Sequence, residues 1–158
     1  MTKEELAEYL KLELYMGYQR TGNKLFDYIW CRFFRPNSNA VYHIRKMLYF
    51  NKKYRGGLCK LHSMILIRRY GININPESTI GKGLYIVHPT SICMTKVRIG
   101  ENFTIMQNCT LGAKLLGECD FSETPCVGNN VTMYANSIVI GNVKVADGVT
   151  IGCNSLVL

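Results

Sequence analysis

The sequence predicts a mainly β protein in which an α-helical region over residues 1–70 precedes a parallel β-helix over residues 71–158. Up to residue 70, apolar residues recur at spacings of three and four, which is the period of an amphipathic helix. After Gly71 they recur every six residues, and no helical pattern separates the repeats. Because βαβ units need helices between their strands, this change of period favours a β-helix.

The helical region carries four apolar stripes, separated by breaks such as those at residues 35–39 and 55–57. We expect three or four helices, with the aromatic stripes lying in the core or in subunit contacts. The stripes are Leu6, Tyr9, Leu10, Leu14 and Tyr15; Phe26, Ile29, Trp30, Phe33 and Phe34; Val41, Ile44, Met47 and Leu48; and Leu58, Leu61, Ile65 and Tyr70.

The six-residue period predicts a triangular prism. Three six-residue strands make one turn, each aliphatic residue points inward, and the next residue takes a tight corner that suits Gly or Asn. A single turn cannot bury its own core, so several turns must stack. The inward positions are Ile74, Ile80, Ile86, Met94, Ile99, Ile105, Leu111, Val127, Met133, Val139, Val145, Ile151 and Val157.

The period is interrupted twice. Met94 lies eight residues after Ile86 and five before Ile99, and Val127 lies 16 residues after Leu111. The second interruption, residues 112–126, is polar and lacks the repeat, which predicts a loop extruded from the prism. Extruded loops on rigid repeats commonly carry binding or catalytic groups.

Charge and cysteine content limit the partners and the compartment. The net charge of +8 is concentrated in residues 1–70, which hold 14 Lys/Arg and 5 Asp/Glu. This basic region could meet coenzyme phosphates, a membrane surface or nucleic acid, although a solvated helical face is the simpler explanation. No apolar run of about 20 residues is present, so any membrane contact is expected to be peripheral.

The seven cysteines include no Cys-x-x-Cys pair, and the N-terminus lacks a secretory pattern. These features predict a cytoplasmic protein with reduced thiols. Only the basic helices favour nucleic-acid binding, so none is expected. A metal-dependent hydratase on such a prism needs about three histidine ligands, and residues 71–158 contain one histidine, so no metal is expected.

Three stretches carry a resemblance to a known family. They are residues 80–90 (IGKGLYIVHPT), 99–112 (IGENFTIMQNCTLG) and 127–132 (VGNNVT). Over residues 65–158 the chain resembles the serine acetyltransferase group of hexapeptide acyltransferases, most closely members associated with polysaccharide biosynthesis. The resemblance implies left-handed coils, a homotrimer with parallel three-fold axes, and acetyl transfer from acetyl-CoA to a hydroxyl.

In this family the histidine that matches His88 is the general base, since an imidazole can take the proton of an attacking hydroxyl. The family's orienting Asp is matched by Asn73, the Asp before the histidine by Val87, and an Arg-His pair by 123–124 (Glu-Thr). These departures favour a sugar or glycan-precursor hydroxyl as the acceptor, with serine as the alternative. Loop carboxylates could replace the missing Asp: Glu118, Asp120 or Glu123.

The resemblance also places acetyl-CoA in a groove between adjacent prisms. The matching positions are Gly112, Ala113, Tyr134, Ala135, Thr150 and Cys153. The family continues past the position of Leu158 with a Gly-x-Pro-Ala-Lys segment, and we expect its absence from this sequence to weaken coenzyme binding. A non-catalytic trimeric β-helix module remains an alternative. His43 and His62 lie outside the motif and are expected to be structural or at the surface.

Overall fold

The computed structural model describes residues 1–54, 56–114 and 121–158. The chain begins with a bundle of helices, and α1 starts with a capping box between Thr2 and Glu5. The last helix ends at Gly71, whose φ of 64° suits a glycine C-cap. The helices are α1, Lys3–Glu13; α2, Lys24–Ile29; a π-helix, π1, Trp30–Phe34; α3, Pro36–Tyr54; and α4, Gly57–Tyr70.

Short parallel strands then wind into a prism with three sheets. The strands are β1 Asn73–Ile74, β2 Thr79–Ile80, β3 Tyr85–Ile86, β4 Cys93–Met94, β5 Arg98–Ile99, β6 Thr104–Ile105, β7 Thr110–Gly112, β8 Cys126–Val127, β9 Thr132–Met133, β10 Ile138–Ile140, β11 Lys144–Val145, β12 Thr150–Ile151 and β13 Leu156–Val157. Sheet A is ordered β1-β4-β7-β10-β13, sheet B β2-β5-β8-β11 and sheet C β3-β6-β9-β12. The predicted fold class, a left-handed parallel β-helix preceded by helices, is confirmed.

The predicted inward residues form the core of the prism. Each pairs in register with its equivalents in the neighbouring coils, as Ile86 does with Ile105 and Ile105 with Met133. All are buried except Val157, which is half-buried in the last strand. The corners add a second buried set four residues later, including Phe103, Cys109, Val131 and Ser137.

Glycine and asparagine divide the corners differently from the prediction. The left-handed backbone is taken mainly by asparagines: Asn102, Asn108, Asn130, Asn136 and Asn154. The glycines after inward residues, such as Gly100, have no positive φ. Gly100 is needed for space, because a Cβ there would lie 2.8 Å from the Gly128 carbonyl carbon in the next coil.

A buried ion pair joins the helices to the first coil. Arg45 of α3 is fully buried and donates to both carboxylate oxygens of Glu13, at 2.8 and 2.6 Å. Arg45 also donates to the carbonyls of Ile80 and Gly81, each at 2.6 Å. Glu13 in turn accepts from the backbone N–H groups of Gly83 and Leu84, at 2.8 and 3.0 Å.

None of the helices in the described part of the chain combines the length and the apolar character that a membrane crossing requires.

Removing one partner of the buried pair should destabilise the protein strongly, because the other charge stays buried and uncompensated. We expect Arg45→Met to lower the free energy of unfolding by about 3–5 kcal/mol in urea titrations. The matched control is Glu101→Gln, which breaks the exposed Lys82–Glu101 pair at 3.7 Å. That variant should cost less than about 1 kcal/mol, and equal losses in the two variants would contradict the role of the buried pair.

Candidate active site

His88 lies on a lengthened corner between sheet C and sheet A. Eight residues separate the inward positions Ile86 and Met94, whereas six separate the corresponding positions at this corner in later coils. Ser91 takes a positive φ of 53°, as Asn108, Asn136 and Asn154 do at the equivalent place in later coils, so the two additional residues lie before Ser91. The corner therefore carries His88 outward, and its side chain is exposed.

A column of residues from later coils extends along the same edge. Gln107, Ala135 and Cys153 each follow an inward residue by two positions, as His88 does. The backbone hydrogen bonds between coils align Gln107 and Ala135 with Thr90, two residues after His88. Gln107 is notable because its side-chain oxygen Oε1 is buried and has no hydrogen-bond partner among the described residues. Sequence reasoning missed Gln107, although its repeat position was a usable signal. A buried acceptor without a partner costs about 1–3 kcal/mol, so a rotation that brings this oxygen to a donor would be favourable.

Asn73 lies in the first strand of sheet A and pairs with Cys93, five residues beyond His88. The side chains of Asn73 and His88 are exposed, and in the described part of the chain no hydrogen bond joins these two residues. A cleft of about 780 Å³ opens beside Asn73 between sheet A and helices α3 and α4, but His88 does not line it. The role predicted for Asn73, orientation of the His88 ring, stays a prediction.

The predicted loop leaves from a different edge of the prism, between sheets A and B. Strand β7 extends through Gly112 and β8 begins at Cys126, so the intervening segment is 113–125. The coil on each side keeps its strand pairing. A 3-10 turn at Phe121–Glu123 ends the segment, and the Phe121 ring lies 4.8 Å from the Lys96 ammonium. Glu118 and Asp120 lie outside the described residues.

The six predicted coenzyme positions therefore divide between two edges. Thr150 lies in sheet C, and Tyr134, Ala135 and Cys153 lie on or near the His88 edge. Gly112 and Ala113 lie where the loop leaves sheet A. Sheet A separates the two edges, and an extended segment of five or six residues spans roughly 15–20 Å. One prism therefore does not bring the two groups together.

No family model matches the chain. It is 36% identical over 116 residues to a serine acetyltransferase of Staphylococcus epidermidis, covering 73% of the chain and 53% of that protein. It is 38% identical over 112 residues to the serine acetyltransferase of Staphylococcus xylosus, covering 70% and 50%. The chain thus spans about half the length of the curated relatives it matches.

Solved structures share the fold over nearly the whole chain. A serine acetyltransferase in complex with CoA matches with a TM-score of 0.79 and 21% identity, covering 99% of the chain and 63% of that protein. Native serine acetyltransferase 1 of Entamoeba histolytica matches with a TM-score of 0.75 and 26% identity, covering 99% and 58%. The chain is a serine acetyltransferase-like hexapeptide-repeat protein. Its predicted closeness to polysaccharide-biosynthesis members stays a prediction.

The two positions beside His88 that carry carboxylates in the family hold uncharged residues in the serine acetyltransferase-like prism. Val87 is half-buried on the same corner, and the amide of Asn73 cannot supply negative charge. Thr124, which matches the histidine of the family's Arg-His pair, is buried, and its hydroxyl donates to the Phe121 carbonyl at 3.4 Å. Glu123 is exposed, but it lies on the loop edge. Any carboxylate from the described loop residues would have to reach His88 from another subunit.

The other two histidines pair with each other in the helical region. His43 is buried, and its Nδ1 lies 2.8 Å from Nδ1 of His62, so one ring donates and the other accepts. Burial, followed by the neighbouring His62 and Arg32, lowers the pKa of His43 to about 4. Burial also lowers the pKa of His62. Both rings are therefore neutral at pH 7, and they serve packing rather than proton transfer.

This pair predicts a pH-dependent stability. Unfolded His43 takes up a proton near pH 6.5, whereas the folded ring resists protonation until about pH 4. The free energy of unfolding should therefore fall as the pH drops from 6.5 to 4, by up to roughly 3 kcal/mol for this group. Urea titrations across that range should show a shallower decline for His43→Asn. An identical pH profile for the variant and the wild type would contradict the assignment.

Proposed function

We propose that the protein is an acetyl-CoA-dependent O-acetyltransferase in which His88 is the general base. The observation that carries the proposal is the lengthened corner, which presents His88 to solvent on the prism edge while the stacked core continues beneath it. The similarity to serine acetyltransferases supports the reaction class. The activity as a whole is proposed, since the relatives extend well beyond the matched segment.

The reaction needs one proton carrier. His88 takes the proton of the acceptor hydroxyl as its oxygen attacks the thioester carbonyl of acetyl-CoA. When the C–S bond breaks and the C–O bond remains, the imidazolium returns that proton to the departing thiolate. The products are the acetyl ester and free CoA, so atoms and charge balance without a metal or an oxidant.

The residues on the His88 edge suit the pantetheine arm of the coenzyme. Ala135 and Cys153 are small, so a ligand can approach the backbone there. The arm carries amide N–H groups, and the half-buried side chain of Gln107 would offer them an acceptor on the same edge once its buried Oε1 rotates outward. Gly112 and Ala113, on the other edge, would contact the coenzyme from a neighbouring prism.

Two acceptors are candidates. Serine is supported by the relatives, which are serine acetyltransferases. A sugar hydroxyl is favoured by the residues around His88. Neither Val87 nor Asn73 supplies the carboxylates found at the matching family positions, and Glu123-Thr124 stands where an Arg would meet a serine carboxylate. Assays of acetyl-CoA consumption with L-serine and with a panel of sugars distinguish the two. The cytoplasmic location expected from the sequence stays a prediction.

Replacing His88 tests the mechanism. We expect His88→Ala to lower the rate of acetyl transfer by roughly 10²–10⁴-fold. The fold should survive because the side chain is exposed, and circular dichroism would verify this. His62→Asn is the matched control and should keep the rate. A fully active His88→Ala protein would refute the assignment, and a wild type that neither binds acetyl-CoA nor transfers acetyl would favour the non-catalytic module.

A second variant addresses the role of Asn73. An Asn in place of a triad Asp costs about 10⁴-fold in a protease, largely by fixing the wrong histidine tautomer. If weak stabilisation of imidazolium limits the rate, Asn73→Asp should raise kcat by roughly tenfold or more. Asn75→Asp adds the same charge two residues away and should leave kcat unchanged. If the two variants raise kcat equally, the added negative charge acts through its long-range electrostatic potential, and the orientation of His88 by residue 73 is contradicted.

The separation of the two edges predicts a homotrimer. A site that needs residues from both edges is complete only where two prisms meet, and a closed three-fold ring satisfies every edge of this kind. Light scattering at micromolar concentration should give three times the mass of the chain, or six times if the helical regions also pair. A monomer that transfers acetyl at the full rate would overturn the shared site.

A further inference from the structure

The segment α2–π1, residues 24–34, has the reverse of the usual helix polarity. Its buried residues are Asp27 and Cys31, which are 3% and 0% exposed. Its large apolar side chains instead face solvent, with exposed fractions from 41% to 69%. These are Leu25, Phe26, Tyr28, Ile29, Trp30, Phe33 and Phe34. The sequence predicted that this stripe would lie in the core or in subunit contacts, and within one chain it does not lie in the core.

Six of these side chains form two adjacent rows at a spacing of four residues, which we call the aromatic ridge. One row is Leu25, Ile29 and Phe33, and the other is Phe26, Trp30 and Phe34. The rings of the second row stack, with centroids 6.0 Å apart for Phe26 and Trp30 and 5.2 Å apart for Trp30 and Phe34. The ridge lies opposite the buried Asp27–Cys31 side.

Polar contacts on the inner side hold the aromatic ridge in place. Asp27 accepts from the Thr21 hydroxyl at 2.7 Å and from Tyr18 Oη at 3.1 Å. The Thr21 hydrogen bond is the main cause of a lowered pKa at Asp27. At neutral pH this carboxylate is therefore ionised, and it accepts hydrogen bonds from Thr21 and Tyr18. Arg35 donates to the carbonyl of Gly17 at 3.0 Å. These hydrogen bonds fix the orientation of residues 24–34, so the apolar side chains of the aromatic ridge face solvent.

The stretch of sequence that carries the aromatic ridge is basic. Residues 14–76 contain 12 Lys/Arg and a single acidic residue, Asp27, which is buried. Arg20 and Lys24 are exposed next to the aromatic ridge in sequence. This stretch of sequence therefore carries an excess of cations and one buried carboxylate, which is complementary to an anionic partner, while the exposed Glu8 of α1 lines a cleft with Arg20.

We propose that the aromatic ridge is a docking surface for a lipid bilayer that contains anionic headgroups. An interfacial helix buries an apolar face in the acyl boundary while neighbouring Lys and Arg meet lipid phosphates, and Trp favours that boundary. A nucleic acid fits less well, because Leu25 and Ile29 offer neither base stacking nor hydrogen bonds. A second copy of the chain fits less well, because two equally basic surfaces repel each other.

Trp30 is the only tryptophan in the chain, so its fluorescence reports on the aromatic ridge directly. Vesicles of phosphatidylglycerol and phosphatidylcholine in equal parts should shift its emission to shorter wavelength and protect it from acrylamide. Brominated lipids should quench it. Pure phosphatidylcholine and high salt should weaken binding, because both reduce the attraction to phosphate. No shift with anionic vesicles would overturn the proposal.

A pair of double variants tests the location. Leu25→Ser with Phe33→Ser keeps Trp30 and should weaken vesicle binding by about tenfold or more, since two apolar side chains no longer enter the acyl boundary. Leu61→Ser with Ile67→Ser removes similar apolar surface from α4, where these residues are 44% and 48% exposed, and should bind normally. Equal losses in the two variants would overturn the proposal.

Other occupants give different results. A second copy would shift Trp30 emission with protein concentration alone, with a matching rise in mass by light scattering. A nucleic acid would shift it with a single-stranded oligonucleotide and not with vesicles. Either result overturns the lipid assignment. If the first double variant fails to fold, quenching of wild-type Trp30 by brominated lipids still decides the question.

Discussion

The contact between Arg45 and Glu13 is the constraint on which the rest of this structure depends. It satisfies two backbone carbonyls at the end of β2 and two backbone N–H groups before β3, so helices α1 and α3 are fixed to the first coil from both sides. A buried pair of this kind is stable only when all its hydrogen bonds are made. Because β3 leads directly into the corner of His88, the same contact fixes where the proposed base leaves the prism.

The six-residue period was enough to predict the β-helix and its inward residues, because each inward side chain meets its equivalents in neighbouring coils. The repeat could not reveal that Asn takes the left-handed backbone at the corners while Gly leaves space for the backbone of the adjacent coil. Nor could it reveal the Arg45–Glu13 pair, whose members are 32 residues apart and belong to no periodic pattern. The reversed polarity of residues 24–34 was also missed, since apolar spacing alone does not say which side faces inward.

His88 could be singled out from its motif, but the arrangement around it could not. The sequence placed six coenzyme positions in a groove between adjacent prisms, and in the structure they lie on two edges separated by sheet A. That division becomes visible only when the strands are assigned to sheets. Gln107 shows the converse case, because counting two residues beyond Ile105 would have placed it beside His88.

The lengthened corners have a consequence for how such a protein can change over evolution. Two additional residues at one edge and about ten at another leave the strand pairing of every described coil unbroken. Substitutions and length changes at these two corners therefore cost little stability, while the stacked interior tolerates few. Acceptor preference can drift through the corners while the prism is inherited intact, which makes a shared fold a poor guide to the molecule that receives the acyl group.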